Sequence, residues 1–482
     1  MRRILRINPK SGEIMFTNIP RKWLVVITVL TGTFTVILNN SMLNPAVPYF
    51  MQVFDADAVS AGWVITIFMV AMGMSMPLTG YLADKFGKKQ VYIAGLLLFV
   101  TGSVLGSMAW DISAIILFRA LQGVGGGMIM PLSMVLIFDA FPREERGLAT
   151  GVWGVAAMLA PTIGPTLGGV IVELGSWQWL FLVNIPTGLL AVFFSLKFLP
   201  KAVKVTDIRL DKSGFVTVTV GVGAILFALG RMNELSHLYN PVNLGLIAVG
   251  ILSLWLFVRI EAKQEQPLLD LSIFKIKAFT YSVIIAMVGS ISLFGGIFLI
   301  PLLVQNVYGY GAIVTGLSFL PSALMMGLFM NIGGRMLDVR GPTLAAAGGL
   351  IILSVSTGAM GFLTMGTSLW LVFLLNGLRG VGLGLSNMPS TTAGMNSIPE
   401  KFVSRGSAMG NVIRQMSSAL GIVFVSIYFE VRRAQIMVNG GMDMESASLS
   451  AINEAFVALA LITLITVPLG FKLGREYQQK AG

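Results

Sequence analysis

The chain has 482 residues, 55% of them hydrophobic and only 11% charged, with a mean hydropathy of +0.83. A soluble domain is about a quarter charged, so this balance excludes an ordinary water-soluble fold and points to lipid. The absence of cysteine excludes disulfides and thiolate metal sites, and the single histidine argues against a histidine-based one.

After a basic segment at residues 1–22, the chain reads as fourteen apolar spans, near 23–48, 61–83, 91–109, 112–138, 147–171, 177–199, 213–230, 240–258, 278–305, 312–332, 343–364, 369–389, 405–428 and 453–473. Each is close to the roughly 20 residues that a helix needs to cross about 30 Å of hydrocarbon. The fold class is an all-α polytopic membrane protein. The connecting segments alternate in charge: 27 Lys and Arg fall on one side, three on the other (Arg231, Arg432, Arg433) and three within spans. Basic loops stay in the cytoplasm during insertion, which predicts an even span count with both termini cytoplasmic. It also accounts for the net charge of +11 without a nucleic-acid partner, since no basic domain or recognition motif is present.

The spans repeat. GYLADKFGKK (Gly80 to Lys89) is echoed by GRMLDVRG (Gly334 to Gly341), FRALQGVGGG (Phe118 to Gly127) by LRGVGLGL (Leu378 to Leu385), and PREERGLATG (Pro142 to Gly151) by PEKFVSRGSAMG (Pro399 to Gly410). Asp84 and Asp338 lie 254 residues apart, and Arg119 and Arg379 lie 260 apart. Echoes at nearly one offset predict two parallel six-helix bundles, at 23–199 and 277–473. A linker at 200–276 carries two unechoed helices, and 474–482 is a terminal tail. Parallel repeats around a midplane site are a transporter architecture.

On these residues the chain resembles the major facilitator superfamily, in the fourteen-helix branch of drug:proton antiporters. GYLADKFGKK is similar to that family's loop motif, LFRALQGVGGG to its fourth-helix motif and GVAAMLAPTIGPTLGG (Gly154 to Gly169) to its fifth-helix antiporter motif. SWQWLFLVNIPTG (Ser176 to Gly188), QPLLDLSIF and GNVIRQ (Gly410 to Gln415) add to the likeness, although Gln178 stands where the family often has Arg. The resemblance implies a non-enzymatic exporter of amphipathic or hydrophobic small molecules, working by alternating access and linked to protons. It further implies a monomer in a bacterial cell membrane, without cofactor or metal. Gly80, Asp84, Gly87 and Lys88, echoed by Arg335 and Asp338, would form a gate that stabilises the outward-facing state. Asp84 would accept bonds from a helix amino end; the plainer reading is a topology anchor. Gly154, Pro161, Gly164, Pro165, Gly168 and Gly169 would give a bent, closely packed fifth span.

The polar residues inside spans carry the functional reading. An Arg at a helix centre costs about 2.5–3.5 kcal/mol on insertion scales, so Arg119, Arg379 and Arg414 must face protein or a cavity. The resemblance links Arg119 to proton coupling, with Gln122 one turn away; Arg379 has the alternatives of snorkelling or pairing with carbonyls. LNNSMLNPAVP (Leu38 to Pro48) aligns with the family's first-helix motif, with Asn39 where the family has a membrane aspartate. Asn39, Asn40 and Asn44 would line a cavity, or serve as interhelical glue. All 22 Asp and Glu fall in loops or at span ends, with Asp139 and Glu173 nearest the membrane. The buried charge is therefore positive. An anionic, zwitterionic or neutral amphiphile, or a lipid, fits it better than a lipophilic cation, and proton coupling would be weak or unusual. The methionines, among them Met69, Met72, Met74, Met76, Met128 and Met130, would form an adaptable wall or ordinary packing.

The charge asymmetry sets the topology to be tested. In this naturally cysteine-free chain, single cysteines at Asp55 and Asp443 should react with an impermeant reagent from outside intact cells, and those at Lys88 and Lys401 should not. The reverse labelling would overturn the orientation.

Overall fold

The computed structural model describes residues 5–7, 14–16, 20–43, 46–56, 58–200, 210–231, 239–264, 267–441 and 443–481. A short antiparallel ribbon, β1 (Leu5–Ile7) with β2 (Ile14–Phe16), precedes a wholly helical body. The helices of the first half are α1 (Arg21–Met42), α2 (Val47–Val53), α3 (Ala58–Phe86), α4 (Lys88–Ser107), α5 (Ile112–Ala140), α6 (Arg146–Leu174), α7 (Trp179–Leu182) and α8 (Asn184–Phe198). Next come α9 (Lys212–Gly230) and α10 (Pro241–Glu261), the two spans without an echo. The second half is α11 (Lys277–Pro301), α12 (Ala312–Arg340), α13 (Thr343–Ala359), α14 (Leu369–Asn396), α15 (Val403–Gly440) and α16 (Met444–Ala481). Among the described residues, thirteen segments are long and apolar enough to cross a membrane, with α7 and α8 counted as one.

Three boundaries differ from the sequence reading. α1 ends at Met42 and α2 begins at Val47, with Pro48 in its first turn. α15 and α16 run 38 residues each, well beyond their apolar stretches. Their added turns are polar and tied together: Arg432 donates through Nε and Nη2 to the Glu454 carboxylate at 2.6 and 3.0 Å. The expected terminal tail therefore continues α16 as far as Ala481.

Close packing depends on small residues. A Cβ on Gly164 would lie 2.7 Å from Ser41 Cβ, and one on Gly168 would meet the Met42 carbonyl oxygen at 2.0 Å, so α6 rests directly on α1. α9 covers the seam where α3 meets α15, through Val222 and Leu226 at Gly73 and through Leu229 beside Val423. α10 lies behind it, with Leu254 over Gly221.

Among the described residues, the buried apolar core joins the two halves on one side. On the face that carries the Lys- and Arg-rich loops, hereafter the basic face, a single apolar core runs from Val25 and Leu132 of the first half to Met330, Met395 and Met409 of the second. Toward the opposite face the core splits. One cluster holds Leu38, Phe50, Val64 and Trp177, all from the first half, and another holds Leu299, Leu363, Phe429 and Phe456, all from the second.

A substitution at Gly168 should report on this packing. Gly168→Ala forces backbone apart and should cost about 1–3 kcal/mol, whereas Gly169→Ala meets nothing within 4 Å and should be neutral. Thermal unfolding in detergent measures both, and equal losses would refute the α1–α6 contact.

Candidate functional site

Arg119 is fully buried on α5, and neutral oxygens surround it. Its Nε donates to the Val64 carbonyl at 2.9 Å, Nη1 to Asn39 Oδ1 at 2.6 Å and to Gln122 Oε1 at 3.0 Å, and Nη2 to Asn40 Oδ1 at 3.2 Å. Its guanidinium also lies over the Phe68 ring, 4.2 Å from the centroid. Gln122 is in turn held by Ser103 Oγ at 2.7 Å, and Asn39 Nδ2 reaches the Leu180 carbonyl at 3.4 Å. The structure thus brings Asn39, Asn40, Arg119 and Gln122 into one cluster. Asn39 and Gln122 are sealed in it, and Asn40 keeps partial exposure. Asn44 lies outside the described residues.

Arg379, its echo on α14, is satisfied in the same way. Nε donates to Thr357 Oγ1 at 3.1 Å, Nη2 to the Ser292 carbonyl at 2.8 Å and Nη1 to Asn376 Oδ1 at 3.4 Å, with the Phe456 ring beside it. Of the alternatives, carbonyl pairing is the one observed.

Arg414 is different. It sits at the twelfth position of α15, is half-buried rather than sealed, and donates to Asn411 Oδ1 of its own helix at 2.5 Å. It lines a cleft between the halves with Met130, Met134 and Trp153 on one side and Phe279, Ser282 and Met395 on the other. The cleft encloses only about 40 Å³ of water-accessible space, room for one or two waters. Of the methionines expected as a wall, Met130 faces the cleft, while Met72, Met76 and Met128 are core packing.

The basic face is closed by two copies of one device. Asp338, at the end of α12, accepts the backbone N–H groups of Gly147 and Leu148 at 2.9 Å each, in the first turn of α6. Gly334 allows this approach, because a Cβ there would meet the Gly147 oxygen at 2.1 Å. In the echo, Gly80 lies on the backbone of Arg405 in the first turn of α15, with the half-buried Asp84 in the field of the Arg405 guanidinium. Asp338 therefore makes the helix-end bonds that the sequence reading gives to Asp84. Gly87 and Gly341 end the two motif copies at φ values of 97° and 77°, in the region that glycine alone adopts readily. Lys88 pairs with Asp139 at 2.7 Å, and Arg335 is exposed on α12.

Sequence reasoning missed Arg146. It is buried and donates to the Phe138 and Phe141 carbonyls at 2.8 and 3.2 Å and to Asn396 Oδ1, across the interface, at 3.1 Å. Its alignment with Arg405 in the third echo was the available signal. Thr150 meets Thr392 at 2.9 Å and Ser407 donates to the Pro131 carbonyl at 2.8 Å, each between the halves. Of the antiporter motif, Gly154 faces Met330 of α12, Gly164 and Gly168 face α1, and Gly169 faces open space. Pro161 and Pro165 lie within the continuous α6, and their side chains are not among the described ones.

Two helical halves that meet on one face, with polar residues buried between apolar helices, define a polytopic membrane carrier. Residues 29–422 match the family model of the Major Facilitator Superfamily, and the chain belongs to that family. It is 29% identical to the lincomycin resistance protein LmrB of Listeria monocytogenes, over 90% of this chain and 93% of that one. It is 31% identical to multidrug resistance protein 3 of Bacillus subtilis, over 82% and 78% respectively. The fold is shared with the human organic anion transporter MFSD10, at a TM-score of 0.64 and 16% identity, covering 94% of this chain and all of that one. Family membership makes this a transport protein rather than an enzyme.

The two closing contacts are unequal, which gives a ranking. Asp338→Asn removes a charge from a helix amino end and one of two acceptors, at about 2 kcal/mol. It should open the basic face to an impermeant thiol reagent at a buried cysteine more than Asp84→Asn does. The opposite ranking would make Asp84 the principal clasp.

Proposed function

We propose that this protein is a secondary active exporter of amphipathic or hydrophobic small molecules, of the multidrug efflux type. It would work by alternating access in the cell membrane as a monomer with fourteen spans, α6 supplying the fourteenth. The observation that carries this reading is the asymmetry of the core: shared between the halves on the basic face, separate on the other. With the basic loops in the cytoplasm, this is an outward-facing carrier whose cytoplasmic side is clasped shut. The resistance-named relatives support the substrate type.

A second reading concerns the cargo, and Arg414 favours it. Every guanidinium nitrogen of Arg119 and Arg379 has an acceptor on the protein, so they hold helices together. Arg414 keeps donors turned to a cleft walled by methionine, tryptophan and phenylalanine. The chemistry of this lining suits an amphiphile with one anionic group, whether drug, fatty acid or lipid, once the cleft widens beyond the one or two waters it holds here, and flipping a lipid would use the same path. Asn39 cannot carry a proton, so coupling of this export to protons would be weak or take an unusual route.

Proteoliposomes offered anionic, neutral and cationic amphiphiles of equal chain length, with and without a pH gradient, test both readings. Transport should favour the anion. Arg414→Gln should raise its KM about tenfold, the size of one charge-assisted hydrogen bond, and leave the neutral probe unchanged. Transport of every probe without regard to Arg414 would discard the anion reading alone; transport of none would discard the exporter.

A further inference from the structure

Arg414 is held by a single contact, and the group that makes it decides the charge of the cleft. Each in-span arginine has an amide one turn away on its own helix: Gln122 for Arg119, Asn376 for Arg379 and Asn411 for Arg414. The last two pairs share one sequence pattern, Asn-x-x-Arg. At Arg119 and Arg379, groups from other helices take the remaining nitrogens. At Arg414 they do not. Among the described residues its one acceptor is Asn411 Oδ1, bonded to Nη2 at 2.5 Å, which leaves Nε and Nη1 for a ligand.

The other end of the Asn411 amide fixes which way it points. Nδ2 donates to the Ser407 carbonyl at 2.9 Å, so Oδ1 faces the guanidinium. A reversed amide would set its NH2 against Arg414 and its oxygen against the Ser407 oxygen, with no bond at either end. The turn that carries it is anchored as well, because Ser407 Oγ donates across to the Pro131 carbonyl of α5 at 2.8 Å. Ser407, Asn411 and Arg414 follow one another up one face of α15, and all three line the cleft. No Asp or Glu lines it with them, and among the described residues none pairs with Arg414. Asn and Asp have the same shape, so one atom at position 411 separates a free cation from an internal ion pair.

We propose that Asn411 is a specificity-determining residue of this carrier: it aims Arg414 into the cleft through a neutral acceptor and so keeps a full positive charge for the anionic group of the cargo. The amide acts in two ways. It holds one edge of a long side chain, so less freedom is lost when a ligand takes the other edge. It also leaves the charge uncompensated, whereas a carboxylate in its place would bind the guanidinium more strongly and compete with the cargo. This rests on the reading that the cleft receives an anionic amphiphile, and it assigns the preference to a second residue besides Arg414.

The test offers proteoliposomes a fluorescent alkyl sulfonate, ionised at every pH used, and the neutral sulfone of the same chain. The readout is the KM of the sulfone divided by that of the sulfonate, a ratio that a general loss of folding or turnover does not move. For a variant that binds without cycling, the same ratio is read from equilibrium binding in nanodiscs. Asn411→Asp keeps size and acceptor, and should lower the ratio about tenfold, the effect of one charge-assisted hydrogen bond. Asn411→Leu keeps the charge of Arg414 and loses its aim, and should lower the ratio about threefold. A purely structural amide gives the reverse order, since Asp is the closer isostere, and that order would overturn the proposal. In an Arg414→Gln background neither substitution should lower the ratio further, and an undiminished effect there would overturn it too. A wild-type ratio near one discards the anion reading itself. A wild-type preference abolished by Arg414→Gln and untouched by both Asn411 variants sinks this proposal alone.

Discussion

A guanidinium inside an apolar bundle must be surrounded by acceptors, or it draws in water and opens the packing. Everything near the middle of the first half follows from that demand at Arg119. α1 supplies Asn39 and Asn40, α3 a carbonyl at Val64, and α5 its own Gln122. Three helices are thus fixed to one side chain. Because the acceptors are neutral, the charge stays uncompensated, and a buried cation without a counter-ion sets the sign of the field in which any cargo moves. Arg379 repeats the arrangement with Thr357, Asn376 and a Ser292 carbonyl. Of the three in-span arginines, Arg414 is the one that lines a cleft between the halves.

The closed basic face uses another elementary device, the amino end of a helix. First-turn N–H groups lack partners within their own helix, and a carboxylate brought there from the other half satisfies them and the dipole together. Asp338 does this for α6. In the proposed alternating-access cycle these bonds would be broken and remade by rigid movement of one half against the other, and no side chain would have to unfold. Glycines at 80 and 334 set how near the helices come, which explains why the motif needs residues without side chains where it crosses.

Much of this was legible in the sequence. Span length, charge alternation and the offset echoes gave the helices and the two-bundle plan, because lipid forces every backbone group into regular structure. The in-span arginines stood out because charge there is costly. What the sequence hid is contact. It could not tell that Arg119 and Arg379 are sealed and Arg414 open, that Asp338 rather than Asp84 makes the helix-end bonds, or that Arg146 is buried.

The first-helix position beside Arg119 is Asn39, which does not titrate, and on the proposed reading the pH gradient has no grip on a cation there. Dye efflux from proteoliposomes at fixed internal pH, with the external pH stepped, compares wild type with Asn39→Asp most directly. Weak, nearly gradient-independent cation efflux is expected of the wild type, and a several-fold gain that follows the gradient once a carboxylate stands against Arg119. Strong gradient-driven cation efflux by the wild type, unchanged by Asn39→Asp, would contradict it and move the coupling site to another helix.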